Sequence, residues 1–135
     1  MNKTGPIVII EDDQEDQEIL QMAFDDLQLG NEILFFSDGE NAYAHLTTTA
    51  VEPFLIFSDI NMPKLNGFEL RERIQQNEEA RIKAVPFLFF TTASDPIHVI
   101  DAYSKSIQGF FIKPFDFNEL KITIKSITDY WQRCV

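Results

Sequence analysis

Cysteine is almost absent from the chain. The single Cys134 excludes an internal disulfide and a zinc site built on thiolates. A reducing, cytoplasmic compartment is the default for such a sequence. Histidine is nearly as scarce: His45 and His98 share no metal-ligand spacing and read as surface or helix-face residues. Basic residues are missing from the first half. Residues 1–60 hold 13 acids against Lys3 alone, a net of −12, whereas residues 61–135 hold 9 acids and 10 bases, a net of +1, which together make the −11 of the chain. Nucleic acid is excluded as a partner, because phosphate binding needs basic patches. A divalent cation suits the acidic half better, although part of that charge (Glu15, Asp16, Glu18, Asp25, Asp26) reads as the solvated face of a helix. No apolar run approaches the ~18 residues of a membrane span. The amino terminus MNKTGPIVII runs directly into Glu11-Asp12-Asp13, so no signal peptide is visible.

What is present points to a packed globular domain. Apolar residues make up 44% of the chain, 13 of them Phe, which excludes a disordered segment. A chain of 135 residues suggests one domain. Surface scaling gives ~7,200 Å² exposed when folded against ~22,600 Å² when extended, enough burial for a core. Short apolar runs alternate with amphipathic stretches. Ile7–Ile10, Glu32–Phe36, Phe54–Phe57, Phe87–Phe90 and Gly109–Ile112 read as strands. Helices are expected at roughly 14–29, stopped by Gly30, and after a Ser37 or Asp38 N-cap. Further helices are expected at roughly 67–77, from Asp95-Pro96 onward, and at roughly 116–131. The expected buried stripes are Ile19, Leu20, Ala23, Phe24 and Leu27 in the first helix, Phe68, Leu70 and Ile74 in the third, and Leu120, Ile124, Ile127 and Trp131 in the last. Five β-α units with near-continuously apolar strands predict a parallel sheet covered on both faces, an open α/β sandwich.

In such sheets ligands bind beyond the carboxyl ends of the strands. Those ends carry Glu11, Asp12 and Asp13, then Asp59, then Thr91 and Thr92, then Lys113. Two carboxylates ~4 Å apart repel by ~4 kcal/mol at an effective dielectric of ~20. Acids gathered there invite Mg²⁺, a hard cation that takes oxygen ligands. Lys113 adds an ammonium and Thr91 a neutral hydroxyl, so a phosphoryl group could sit among them with Asp59 as carboxylate nucleophile.

The stretches IVIIEDD, FLIFSDINMPKLNGFEL, PFLFFTTAS and GFFIKPF, in this order and at these strand ends, resemble the CheY-like receiver domain of two-component signalling. The resemblance runs from Ile7 to about Trp131. It implies a flavodoxin-like (βα)5 fold with strand order 2-1-3-4-5, and one receiver domain over residues 1–135 with no output domain. Asp59 corresponds to the phospho-accepting aspartate. Asp12 matches the acid that holds Mg²⁺ directly, Glu11 its neighbour, and Asn61 the residue that offers a backbone carbonyl to the metal. Thr91 matches the switch hydroxyl, Lys113 the phosphate-binding lysine, and Phe110 the switch aromatic. The Lys113–Pro114 bond is often cis in the family. The implied partners are a histidine kinase or histidine phosphotransfer protein and a downstream protein target. Output is expected through a face of the fourth helix, fifth strand and last helix, with a phosphorylation-dependent homodimer as one form of it. That face is expected to carry Ile97, Ile100, Tyr103, Phe110 and the stripe from Leu120 to Trp131, with Asp101, Lys105, Lys121, Lys125 and Asp129 as mixed charge.

Several positions depart from the commonest family pattern. Glu11 stands where Asp is more frequent, Thr92 where a small residue is common, and Ser58 where a large aliphatic is usual. Ser58 faces away from Asp59 and therefore needs a buried partner. The chain is expected to accept phosphate rather than to turn over substrate, with at most weak self-dephosphorylation. The alternative is a Mg²⁺-dependent phosphohydrolase with Asp59 as transient nucleophile. Such enzymes commonly carry a second acid two residues on, where this chain has Asn61, which cannot donate a carboxylic proton. A flavodoxin-like cofactor binder would need a phosphate loop after the first strand, where Glu11-Asp12-Asp13 would repel the ligand.

Overall fold

Alternation within the strands sets the layers. The structure, a computed structural model, describes residues 1–78, 80–92 and 96–135. Five parallel strands, β1 (Ile7–Ile10), β2 (Ile33–Phe36), β3 (Leu55–Ser58), β4 (Phe87–Thr91) and β5 (Gly109–Ile112), form one sheet in the order β2-β1-β3-β4-β5. Val8, Ile10, Ile56, Phe87 and Phe89 point to one face, and Ile7, Ile9, Leu55, Phe57, Leu88 and Phe90 to the other. Helices α1 (Gln14–Leu27) and α6 (Phe117–Arg133) cover the second face through Leu20, Phe24, Leu120, Ile124 and Ile127. The first face is covered by α2 (Gly39–Thr48), α3 (Gly67–Gln76), a short α4 (Ala80–Ala84) and α5 (Pro96–Ser104). The accessible surface is 7232 Å², the value expected for a chain of this mass packed around one sheet.

The helix starts follow local chemistry. Asp13, Asp38 and Asp116 cap α1, α2 and α6 by accepting the amides of Asp16, Asn41 and Glu119. Asn66 and Glu69 form a reciprocal capping box at α3. The expected cap of α5, Ser94 or Asp95, lies outside the described residues, as do the side chains of Ile97 and His98.

The structure corrects four details of the expected elements. Helix α1 ends at Leu27 rather than at Gly30. Gln28 takes the left-handed cap (φ 50°) and its amide bonds Phe24, because Leu27 and Leu29 both dock onto the core and the chain must turn between them. Ile19 is 44% exposed, outside the buried stripe of α1. Helix α4 has no counterpart in the expectation; its Ile82, with Val85 beyond it, joins the core. The described peptide bonds are all trans, Lys113–Pro114 included; the two isomers of an X–Pro bond differ by only about 0.5–1 kcal/mol, so sequence alone does not choose.

Candidate functional site

Strand register assembles the site. Ile10 pairs with Ser58 and Thr91 with Ile112. Glu11 and Asp59 therefore leave neighbouring strands side by side, and Lys113 leaves β5 just past Thr91, whose carbonyl accepts the Lys113 amide at 2.7 Å. The backbone of Asp59 is tied in turn to Ile10 (2.9 Å) and that of Glu11 to Phe36 (2.9 Å). Carboxylate oxygens of Glu11, Asp12 and Asp59 lie within 4.8 Å of one another, Glu11 and Asp59 buried and Asp12 exposed. Oxygens this close repel one another when charged, and a cation beside them relieves that repulsion.

Lys113 supplies that charge. Its ammonium donates to Glu11 Oε1 and lies 3.6 Å from Asp59 Oδ2 and 3.3 Å from Asp16 Oδ2. Burial alone would pull the Lys113 pKa down; the bond and charges of Glu11, Asp59 and Asp16 outweigh it and hold the pKa above its ordinary value. Glu11 is buried more completely, and desolvation pushes its carboxyl up from 4.5 to about 7 despite the Lys113 contact. Its second oxygen accepts the Asp13 amide at 3.1 Å.

Asp16 is the member that the sequence reading missed, having placed it on the solvated face of α1. It is the third residue of that helix, counted from its Asp13 cap, so its carboxylate lies at the same sheet edge as the strand ends. That position was the available signal. Asp13, by contrast, serves α1 as its cap.

The remaining predicted residues take separate places. Asp59 Oδ1 accepts the Ile60 amide at 2.7 Å, which fixes its rotamer. Thr91 is buried at the end of β4, and Thr92 beside it is exposed. Phe110 is half-buried and meets Phe89 edge-on, with ring centroids 6.0 Å apart. Asn61 is exposed in the loop after β3. Ser58 finds its buried partner next door: the hydroxyl donates to the Asp59 carbonyl at 2.8 Å. That carbonyl also lies 2.4 Å from where a Cβ on Gly67 would stand, so only glycine fits there.

Beside the cluster runs a groove of about 260 Å³, lined by Asp16, Ile19, Thr92, Lys113 and Phe115 among others, with Phe115 fully exposed. The donor set, three carboxylates around a shared point with no thiolate or imidazole, fits a hard divalent cation. No helix among the described residues is long and apolar enough to cross a membrane.

A family model described as response regulator receiver domain matches residues 7–125. The chain is 29% identical to a probable methanogenesis regulatory protein, FilR2, of Methanothrix harundinacea over 93% of its own length and 82% of that protein. It is 26% identical to the response regulator Rcp1 of Synechocystis sp. over 99% of its length and 93% of Rcp1. Among solved structures, the Mn²⁺-bound form of Rcp1 superposes with a TM-score of 0.81 at 26% identity, covering 96% of this chain and 95% of that one. The phosphorylated cyanobacterial phytochrome response regulator RcpA superposes at 0.84 and 24% identity, covering 95% and 94%.

Proposed function

The chain belongs to the response regulator receiver family, and from that premise we propose that Asp59 accepts a phosphoryl group from a histidine kinase or histidine phosphotransfer protein in a Mg²⁺-dependent reaction. The observation that carries this reading is the meeting of Glu11, Asp12, Asp59 and Lys113 at one sheet edge. An Asp59 carboxylate oxygen attacks phosphorus, the bond from phosphorus to the donor imidazole nitrogen breaks, and the imidazole leaves with the electron pair of that bond. The product is an acyl phosphate on Asp59. Mg²⁺, held by Glu11, Asp12, Asp59 and the Asn61 carbonyl, would neutralise charge on the phosphoryl oxygens. Lys113, already paired with Asp59, turns its ammonium to those oxygens as charge builds there. The Ile60 amide keeps one Asp59 oxygen oriented. The apolar groove past Ile19 and Phe115 gives the donor protein a surface beside the acceptor.

Thr91 then donates its hydroxyl to a phosphoryl oxygen, and Phe110 fills the space it leaves. The shift biases a two-state equilibrium and alters the face of α5, β5 and α6. Exposed apolar groups of that face are Ile100, Tyr103, Ile112 and, from α6, Tyr130, which lines a groove with Phe111 and Gln108. Its composition differs from the sequence expectation: Leu120, Ile124 and Ile127 are core, Phe110 is half-buried, and Lys121 and Lys125 pair with Asp26 and Asp129 of the same chain. A downstream protein or a second copy of the chain docks there, in the cytoplasm.

Incubation with acetyl phosphate and Mg²⁺ should add one acid-and-base-labile phosphoryl group, detected by intact mass. Asp59→Asn should abolish it; a labile adduct on the variant at another residue would overturn the assignment.

A further inference from the structure

Arg71 is the largest buried side chain remote from the site. It lies on the core-facing side of α3, is 1% exposed, and has no carboxylate partner among the described residues. Its Nε donates to the Lys105 carbonyl at 3.3 Å and its Nη2 to the Ser106 carbonyl at 2.5 Å, while Nη1 is buried without an acceptor. The guanidinium stands 5.1 Å over the ring of Phe87. Burial pushes its pKa down to about 10, so it stays charged at neutral pH. Isolated charge is costly to bury. Its compensation here is the pair of turn carbonyls, Lys105 and Ser106, immediately past the carboxyl end of α5, together with the aromatic face of Phe87.

These carbonyls are a junction. Ser106 (φ 60°) closes α5, and its carbonyl also accepts Gln108 Nε2 at 3.0 Å. Gln108 in turn exchanges two bonds with Phe87, at 2.7 and 2.9 Å. The carboxyl end of α5 is thereby held to α3, to the start of β4 and to the start of β5, at the sheet edge opposite Asp59. On the side toward the site, Phe110 touches Phe89 and Phe89 touches Phe87 (5.4 Å between centroids), ring contacts without directional bonds.

We propose that Arg71 is the positioning residue that pins the carboxyl end of α5, so that the phosphorylation-linked shift of α5 is a pivot about Lys105–Ser106 and not a displacement of the whole helix. The inference deepens the receiver reading and rests on it.

Hydrogen exchange of the full chain tests it, at rest and with beryllofluoride and Mg²⁺. In the wild type, beryllofluoride should change exchange over 96–101 and leave 105–108 unchanged. Arg71→Met should raise resting exchange at 105–108 at least tenfold and let the beryllofluoride response spread into 105–108. Arg71→Lys, which keeps the charge and a donor, should restore part of the protection. Phosphorylation of Asp59 by acetyl phosphate should persist in both variants. Equal wild-type responses at 96–101 and 105–108, no response in α5 despite bound beryllofluoride, or unchanged resting exchange at 105–108 in Arg71→Met would each overturn the pivot. Should Arg71→Met fail to fold, Arg71→Lys and the wild-type comparison still decide. Failure of the wild type to take up either beryllofluoride or phosphate would overturn the phosphoacceptor reading instead, and the resting exchange of the variants would then decide the clamp separately.

Discussion

At the scale of the residue, neighbouring acids divide into different tasks. Asp12 is exposed within the carboxylate cluster, whereas Asp13 accepts the Asp16 amide at 3.0 Å. Asp12→Ala should therefore weaken Mg²⁺ binding strongly in a metal titration. Asp13→Ala should leave it nearly intact and instead lower stability by about 1 kcal/mol, the usual value of an N-cap, in urea melts. Equal losses of metal affinity would contradict this division. Glu11 predicts a pH dependence. Its folded pKa of about 7 lies above the ordinary 4.5, so between those values the folded metal-free chain holds a proton that the unfolded chain has released. Stability should fall as pH rises through that window, by on the order of 1–3 kcal/mol, and level off above it. Lys113, whose pKa is raised, keeps its contribution throughout this window and loses it only in strong base. Urea titrations at pH 5 and pH 7 on the wild type and Glu11→Gln check the sign: the variant should lose the difference.

At the scale of the element, the carboxyl end of β3 and the start of α3 are built against each other. The Gly67 amide bonds the Ile60 carbonyl at 2.8 Å, and a Cβ there would meet the Asp59 carbonyl, the Phe89 ring and Ile60. Gly67→Ala should destabilise the fold by roughly 1–3 kcal/mol through overpacking, although alanine is the better helix former. It should also slow phosphorylation by acetyl phosphate, because the displaced carbonyl belongs to Asp59. Full-rate phosphorylation in a destabilised variant would separate the packing from the chemistry. The loop between them is braced from the other side. Asp38, cap of α2, lies 3.5 Å from the Lys64 ammonium, and Gly39 leaves room for the Leu65 carbonyl.

At the scale of the whole molecule, exposed apolar groups lie on α1 and in loops (Ile19, Met22, Val51, Phe115) and also on α5, β5 and α6. On the last three, Ile100, Tyr103, Ile112 and Tyr130 are each about half exposed or more, a composition suited to protein contact. Sedimentation should show a larger dimer fraction with beryllofluoride and Mg²⁺ than without, and Ile100→Lys, at the most exposed apolar residue of the face, should remove it. A monomer under both conditions would move output to a different protein and leave the switch in place.

Periodicity and strand-end chemistry were legible from the chain. Apolar runs ending in Glu11, Asp59, Thr91 and Lys113 located the sheet and its reactive edge, because polar and charged groups are costly to bury without partners and so gather where the apolar run stops. Even Arg71 carried a signal: Gly67, Leu70, Arg71 and Ile74 are spaced i, i+3, i+4, i+7, one helical face, and all are buried. What periodicity does not contain is the neighbour. Only the packed structure decided that Asp16 turns to Lys113, that Arg71 holds the turn after a helix distant in sequence, and that Ile19 stays in water. Each depends on which groups from remote segments arrive at the same place. A pattern along one helix marks the face to be covered; the sheet and the facing helices determine what covers it.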